Sequence, residues 1–509
     1  VCDGYDNLSL VTKLFEITVT HHKFKLTTNH QQLTMTTKFS LHIPPKMWSD
    51  FQKSMLESRM FNEEVIGFFF CQRHQISKRK IRYIPKSWVV PTAECYEHQS
   101  SDGLILSQRF HSYLLENHLF PGLDLVHIHT HAGKSIPDFS YIDDRYESEY
   151  ARFLASNFSQ KPRLISGVFD ENLQSGKFRM WDKKGRKFQE CSFINSLFEF
   201  SNTQDVTHNP DLMFARQQIF GENNQQTLSQ LKVGLIGCGG IGSIFAELLG
   251  RLGVRNWVLI DPDRLEQVNL NRMTGASQKM VEQQWYKVHY VKHLIKKVYA
   301  QGSHIKTLPT AIANESATQE ISDCDLIVVA TDNHLSRKTA QELALQYMRP
   351  LVCLGTHIDV KSDGTPRMYC RITVPPMGGD WCLMCGNIIN LQRAALESAP
   401  AQINHMAAGA GYLEGVNDPS VFWLNSICAS TAVGVIHGIV SGFLNVDSGI
   451  DWIYEFPNSE WRKTDTKYLQ TDDCYFCGKN NSENVVQNSD FESQDFDNED
   501  FDNSDFIVW

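Results

Sequence analysis

The chain has 509 residues, 42% of them hydrophobic and 11% aromatic. That is enough apolar material for about three domains with real cores and too much for a disordered chain. The formal net charge is −10, and Asn480 to Trp509 hold nine acids with no Lys or Arg. The remainder is therefore close to neutral and lacks the basic footprint of a nucleic-acid binder.

Residues 1–38 form an N-terminal extension with alternating stretches such as FEITVTHHKFKLTT and no readable motif. A first domain is expected over 39–200. WSDFQKSMLES has helical spacing, EEVIGFFF reads as a buried strand, HIHTH as a later strand, and SGVF and KFRMWD as late strands. Residues 201–215 read as a polar linker followed by the start of an arginine-bearing helix. From 216 to 479 apolar strands alternate with helices, the pattern of a mostly parallel sheet. Residues 480–509 repeat Asp-Phe, and like-charge repulsion predicts a disordered tail there.

The longest apolar run, Thr431 to Leu444, is interrupted by His437 and falls short of a bilayer span, so no membrane segment is expected. The first residues show no charged-then-apolar leader. Thirteen cysteines, an odd number, suit thiols and metal ligands in a reducing, cytoplasmic setting better than a disulfide framework.

Three patterns carry chemistry. In HIHTH, His127, His129 and His131 recur every two residues, which puts all three imidazoles on one face of a strand. A zinc site is one reading and a hydrogen-bonded polar face is the other. Ser140 and Asp143 follow, in a spacing that also describes a helix capping box. A rival register through His127, His129, Ser135 and Asp138 has too short a gap. Further on, GLIGCGGIGS places Gly237, Gly239 and Gly242 after a strand and before a helix, a phosphate-binding turn. Asp261 suits a ribose. A nicotinamide site would stop there, but Asn269, Arg272, Lys287 and Asp332 follow. A row of cations with a carboxylate for magnesium suits a site that moves a nucleotidyl group. Finally, WCLMC and CYFC supply Cys382, Cys385, Cys474 and Cys477, two pairs able to close a tetrahedral structural zinc site.

On these residues the second domain resembles the ThiF/MoeB and ubiquitin-activating-enzyme superfamily. The resemblance implies a Rossmann-like ATP-binding sheet that adenylates the C-terminal glycine of a ubiquitin-like or sulfur-carrier protein. Asp261 would hold the ribose, Asn269, Arg272 and Lys287 the phosphates, and Asp332 magnesium. Arg216, within FARQ, would reach into the ATP site of the partner in a homodimer. Thioester-forming members carry a cysteine after the first CxxC. Residues 387–424 have none, and Cys428 lies in an apolar run that reads as core. A conjugating enzyme, a sulfur donor or an amine could then receive the adenylate.

The first domain resembles the JAMM metalloproteases, which implies a cytidine-deaminase-like α/β fold with catalytic zinc. His129, His131 and Asp143 would be the ligands and His127 a substitute or supporting group. Glu64 would act as general base and acid, and Ser140 as oxyanion donor. Here Ala132 stands in place of the usual proline, and the gap to Ser140 is one residue longer. Together the two resemblances imply an α/β enzyme that trims or deconjugates a modifier and activates its carboxyl terminus. The alternatives are a partner-binding scaffold with an inactive first domain, or sulfur-carrier activation without a thioester.

Overall fold

A computed structural model describes residues 37–59, 63–101, 103–133, 137–196, 198, 212–299, 302–399, 419–471, 473–478 and 507–508. The extension over 1–36, the polar linker before Leu212, Ser135 of the rival register and the tail over 480–506 lie outside them. The chain divides into two compact units. Among the described residues the first takes 37–43, 47–195 and 507–508, its main stretch ending at Asn195, slightly before the expected boundary at 200.

The first unit is an eight-stranded mixed sheet in the order β10-β1-β3-β2-β6-β7-β8-β9. Its strands are β1 (Lys38–His42), β2 (Ile66–Ser77), β3 (Lys80–Val89), β6 (Leu123–His131), β7 (Leu164–Asp170), β8 (Gly176–Trp181), β9 (Phe188–Glu190) and β10 (Ser192–Ile194). A small sheet of β4 (Tyr96–Gln99) and β5 (Leu104–Leu106) also takes in Ile507–Val508, antiparallel to β5. The helices are α1 (Pro45–Glu57), α2 (Gln108–His118) and α3 (Tyr141–Asn157).

Strand alternation sorts the core. On β6, Val126 and Ile128 join Phe51, Met55 and Phe69 on one face, while Leu125 joins Ile66, Phe68, Leu154 and Trp181 on the other. The histidines at 127, 129 and 131 share parity with Leu125 and so lie on the face covered by α2 and α3. Gly67 permits the close approach of α1, since a Cβ there would sit 2.6 Å from the Phe51 ring and 2.7 Å from the Met55 sulfur.

The second unit is also built on an eight-stranded sheet, in the order β13-β12-β11-β14-β15-β16-β17-β18. Five strands are parallel: β11 (Lys232–Ile236), β12 (Asn256–Ile260), β13 (His304–Leu308), β14 (Leu326–Val329) and β15 (Leu351–Val360). Antiparallel β16 (Pro366–Val374), β17 (Ile450–Phe456) and β18 (Glu460–Lys463) extend it. The chain winds outward from β11 to β13, then returns to the other side of β11 with β14, creating a topological switch point. The helices include α4 (Glu222–Gln230), α5 (Gly240–Leu252), α6 (Gln278–Glu282), α7 (Lys287–Val298), α8 (Glu315–Ser322), α9 (His334–Tyr347) and α10 (Leu391–Glu397).

Two expectations need adjustment. Leu212–Phe220, which holds Arg216, is a 3₁₀ segment rather than the start of an α-helix. Most of the apolar run at 431–444 lies in a longer helix, Phe422–Val440, which is long and apolar enough to cross a membrane by composition. Half of its apolar window is nevertheless buried within this unit, with Leu424, Cys428, Ala429, Ala432 and Ile436 in the core.

Replacing Gly67 with alanine overpacks the α1 face. It is expected to lower stability by about 1–3 kcal/mol, read as an earlier denaturant midpoint. An unchanged midpoint would show that α1 does not pack this closely.

Candidate functional site

In the first unit the β2–β6 register decides which groups meet. Ile66 lies opposite His129, and Val65 and Thr130 exchange hydrogen bonds, so Glu64 is delivered to the His131 end of β6. Glu64 is buried, and its charge is felt at His129. The chain then turns and starts α3 at Ser140, whose hydroxyl accepts from the Asp143 N–H at 3.1 Å. The Asp143 carboxylate in return accepts from the Ser140 N–H, completing a capping box.

The capping carboxylate also faces the histidines. Asp143 Oδ1 lies 3.2 Å from His129 Nε2, Oδ2 lies 3.5 Å from His131 Nε2, and the two Nε2 atoms are 3.2 Å apart. The three side chains form a buried set of potential metal ligands. The expected trio is thus brought together, and the side chain that closes the capping box is the one that faces the histidines. Burial alone would raise the Asp143 pKa, but hydrogen bonds from His129 and His131 reverse this and hold it well below the carboxylate range. Burial also works against a charged His129, yet Asp143, Glu147 and Glu64 together raise it. His127 is fully buried, stacked on His129 at 5.8 Å, and its Nε2 lies 3.8 Å from Glu147 Oε1. It faces α3 one turn beyond the trio. In the rival register, Asp138 is exposed and pairs with Lys177 at 3.2 Å.

In the second unit a cleft of about 600 Å³ opens at the carboxyl ends of β11, β12 and β14. It is lined by Gly237, Gly239, Asp261, Asn269, Arg272, Lys287 and Asp332, so all of these expected nucleotide residues converge. Gly242 supports the turn from behind. A Cβ there would lie 2.0 Å from the Gly237 carbonyl oxygen, and Gly237 itself has φ +94°. Asp261 accepts from the Cys238 N–H at 2.7 Å and the Asp263 N–H at 2.9 Å. Burial raises its pKa against the pull of Lys287. Lys287 pairs with Asp263 at 2.7 Å; burial would lower its pKa, and the nearby carboxylates outweigh that and keep it charged. Asn269 caps its own turn, its Oδ1 accepting from the Glu266 N–H at 3.0 Å. Arg272 donates to the Val268 carbonyl at 2.7 Å. Arg216 is exposed on its 3₁₀ segment.

Sequence reasoning missed three lining groups. Arg337 donates to the Thr331 carbonyl at 3.1 and 2.9 Å, beside Asp332. Glu397 accepts from the His334 and Leu335 N–H groups at 3.1 and 2.7 Å, closing the α9 N-terminus. Buried Asn425 accepts from the Thr356 hydroxyl at 3.2 Å. Of these, only Arg337, one turn into a helix that follows Asp332, left a signal in the sequence.

Cys382, Cys385, Cys474 and Cys477 converge. Their Sγ separations of 3.8, 3.6 and 3.4 Å approach the spacing of about 3.8 Å that four bonds of about 2.3 Å to one zinc would give. Hydrogen bonding within the set, first from Cys382, favours the thiolate at Cys385. Cys428 is fully buried, and its thiol pKa is raised well above the usual range by Cys370 and by burial. That is the core role expected of it.

Residues 213–447 match the model of the ThiF family. The match supports a ThiF/MoeB-type adenylyltransferase domain over this segment. The chain is 26% identical over 184 residues to the sulfur carrier protein ThiS adenylyltransferase of Bacillus subtilis, covering 34% of this chain and 54% of that protein. It is 25% identical over 274 residues to the molybdopterin-synthase adenylyltransferase of Escherichia coli, covering 53% of this chain and 96% of that protein. The chain thus spans about half the length of the Bacillus relative. A crystal structure of E. coli MccB with ATP matches at a TM-score of 0.42 and 16% identity, over 54% of this chain and 76% of that one. The ThiF match lies wholly within the second unit.

The raised pKa of His129 has a consequence for metal uptake. A protonated imidazole must lose its proton to bind a metal. If the histidine set takes zinc, its affinity is therefore expected to climb with pH through the ordinary imidazole value of about 6.5 and to keep climbing above it. Titration calorimetry in two buffers of different ionisation heat should show proton release on binding. A pH-independent affinity would count against this charge state.

Proposed function

We propose that the second unit uses ATP and magnesium to adenylate the C-terminal carboxylate of a ubiquitin-like or sulfur-carrier protein. The observation that carries this reading is the convergence of the glycine turn, Asp261, Arg272, Lys287 and Asp332 in one cleft at the switch point of a parallel sheet. The adenylyltransferase relatives support the same chemistry. Magnesium held at Asp332 would supply charge neutralisation at the phosphates. Asp261 would fix the ribose, and Asn269, Arg272 and Lys287 would orient the phosphates. A modifier carboxylate oxygen then bonds to the α-phosphorus as the bond to pyrophosphate breaks, leaving acyl-adenylate. For Lys287 this means exchanging its Asp263 partner for phosphate. Arg216 would serve the partner's site in a homodimer. The buried state of Cys428 favours transfer to an external acceptor, such as a sulfur donor or a conjugating enzyme, without a thioester on this residue.

For the first unit we propose zinc-dependent hydrolysis of a peptide or isopeptide bond at the same modifier terminus, as the JAMM resemblance implies. Supporting this reading is the buried His129–His131–Asp143 set, with Glu64 alongside. Zinc there would supply a water acidified enough to react near neutral pH. Glu64 would take the water's proton and pass it to the leaving amine. The Ser140 hydroxyl accepts from the Asp143 N–H, which leaves its own proton to donate to the developing oxyanion. Zinc at the four cysteines would be structural.

Asp332→Ala is expected to cut modifier-dependent ATP–pyrophosphate exchange by at least about 100-fold. Wild-type exchange would refute the adenylation assignment.

Glu64→Gln should retain zinc yet lower cleavage of a modifier fusion by about 100- to 10,000-fold. Undiminished cleavage would remove Glu64 from the reaction.

A further inference from the structure

Behind the histidine set lies a second buried ionic group that the proposed hydrolysis does not use. Its centre is Arg179 on β8, which is 3% exposed. The sheet register explains its position: His127 on β6 lies opposite Ser166 on β7, and Ser166 opposite Arg179, so one row crosses the face beneath α3. From that row the guanidinium reaches up to α3. Its Nη1 lies 2.5 Å from Asp144 Oδ1, while Nε and Nη2 lie 2.7 and 2.6 Å from Glu147 Oε2. Trp181 Nε1 donates to the same Glu147 oxygen at 2.7 Å. The guanidinium also covers the Phe139 ring at 3.7 Å.

These contacts surround the segment that presents the candidate ligand. Phe139 immediately precedes Ser140, and Asp144 immediately follows Asp143. Glu147 stands one turn along the same helix face, so its carboxylate lies over His127 as that of Asp143 lies over His129 and His131. A buried carboxylate so close to Asp143 needs a compensating cation. A forked, planar guanidinium can meet two carboxylates and a ring at once, which an ammonium cannot.

We infer that Arg179 is a positioning residue for the metal centre: through Asp144, Glu147 and Phe139 it pins the first turn of α3, and so Asp143, over the histidine pair. The inference rests on the metal-site reading above. Supporting residues of this kind typically contribute about 10- to 100-fold in metal affinity.

The test uses the full chain with its cysteine cluster preloaded with zinc. Zinc affinity at the histidine site is measured by competition with a chromophoric chelator, on protein whose near-ultraviolet circular dichroism is native. Arg179→Lys and Glu147→Gln are each expected to weaken zinc binding by about 10- to 100-fold, and Phe139→Leu by less. Gly67→Ala, a destabilising change on the opposite face of the sheet, should leave the affinity unchanged. Should Arg179→Lys fail to fold, Glu147→Gln and Phe139→Leu decide. Wild-type affinity in the folded variants would overturn the clamp and leave the metal site standing. An equal loss in Gly67→Ala would also overturn the clamp, by tracing the effect to general loosening. A wild-type chain that takes no zinc beyond the cysteine cluster would overturn the metal-site reading and this inference with it.

Discussion

In both units the candidate site depends on one constraint: a strand delivers its last side chains at its carboxyl end, where a following helix begins with unpaired N–H groups. β6 ends in His131 and leads to the α3 N-terminus at Ser140 and Asp143. β11 ends at the glycine turn and leads to α5, and β14 leads through Asp332 to α9. The first turn of a helix favours anionic groups. In the first unit that anion is internal, the carboxylate of Asp143. At α9 it is also internal, the carboxylate of Glu397. At α5 the glycines leave the turn open towards the cleft, with Asp261 buried beside it.

Period and spacing made much of this legible. A two-residue histidine repeat admits one strand face, and the structure puts those histidines on the face beneath α3. The glycine turn, Asp261 and Asp332 could be listed in order because each follows a strand end, and the switch-point topology gathers strand ends, while Lys287 opens α7. The cysteine pairs were readable because two CxxC turns have few other uses. Arg179, Glu397 and Asn425 were invisible for a common reason: each acts through a partner far away in sequence. Arg179 meets Glu147 only because β6, β7 and β8 are adjacent in the sheet, and nothing local in KFRMWD announces that. At Leu212–Phe220, where an arginine-bearing helix is expected, the backbone takes a 3₁₀ course rather than an α-helical one. The two differ by one residue in hydrogen-bond reach, which composition does not encode.

Buried ionic groups occur in both units and follow the same physics. Arg371 pairs with Asp451 at 2.7 Å, and Thr373 and Thr464 complete the carboxylate's partners at 2.9 and 2.6 Å. Those bonds hold the Asp451 pKa low although burial acts to raise it. This group links β16 to β17 within the sheet, and its oxygens are fully occupied by the pair and the two hydroxyls. The Arg179 group differs because its carboxylates lie on the same helix as Asp143. Where a buried pair joins strand to strand, its consequence is pairing; where it joins strand to the first turn of a helix, it also sets the position of whatever that turn carries.

Asp143 shows why the capping and metal readings need not compete. A cap needs one carboxylate oxygen directed at the helix N-cap N–H, and a metal ligand needs one directed at the imidazoles. The side chain has two oxygens, and the Ser140 N–H uses only Oδ2. The N-terminal turn therefore holds the carboxylate in place by itself, which would lower the ordering cost of binding a metal. Against its burial, the carboxylates of Asp143, Glu147 and Glu64 favour a charged His129. A metal bound there would displace a proton from His129 without rebuilding the helix terminus, because the cap already fixes the carboxylate.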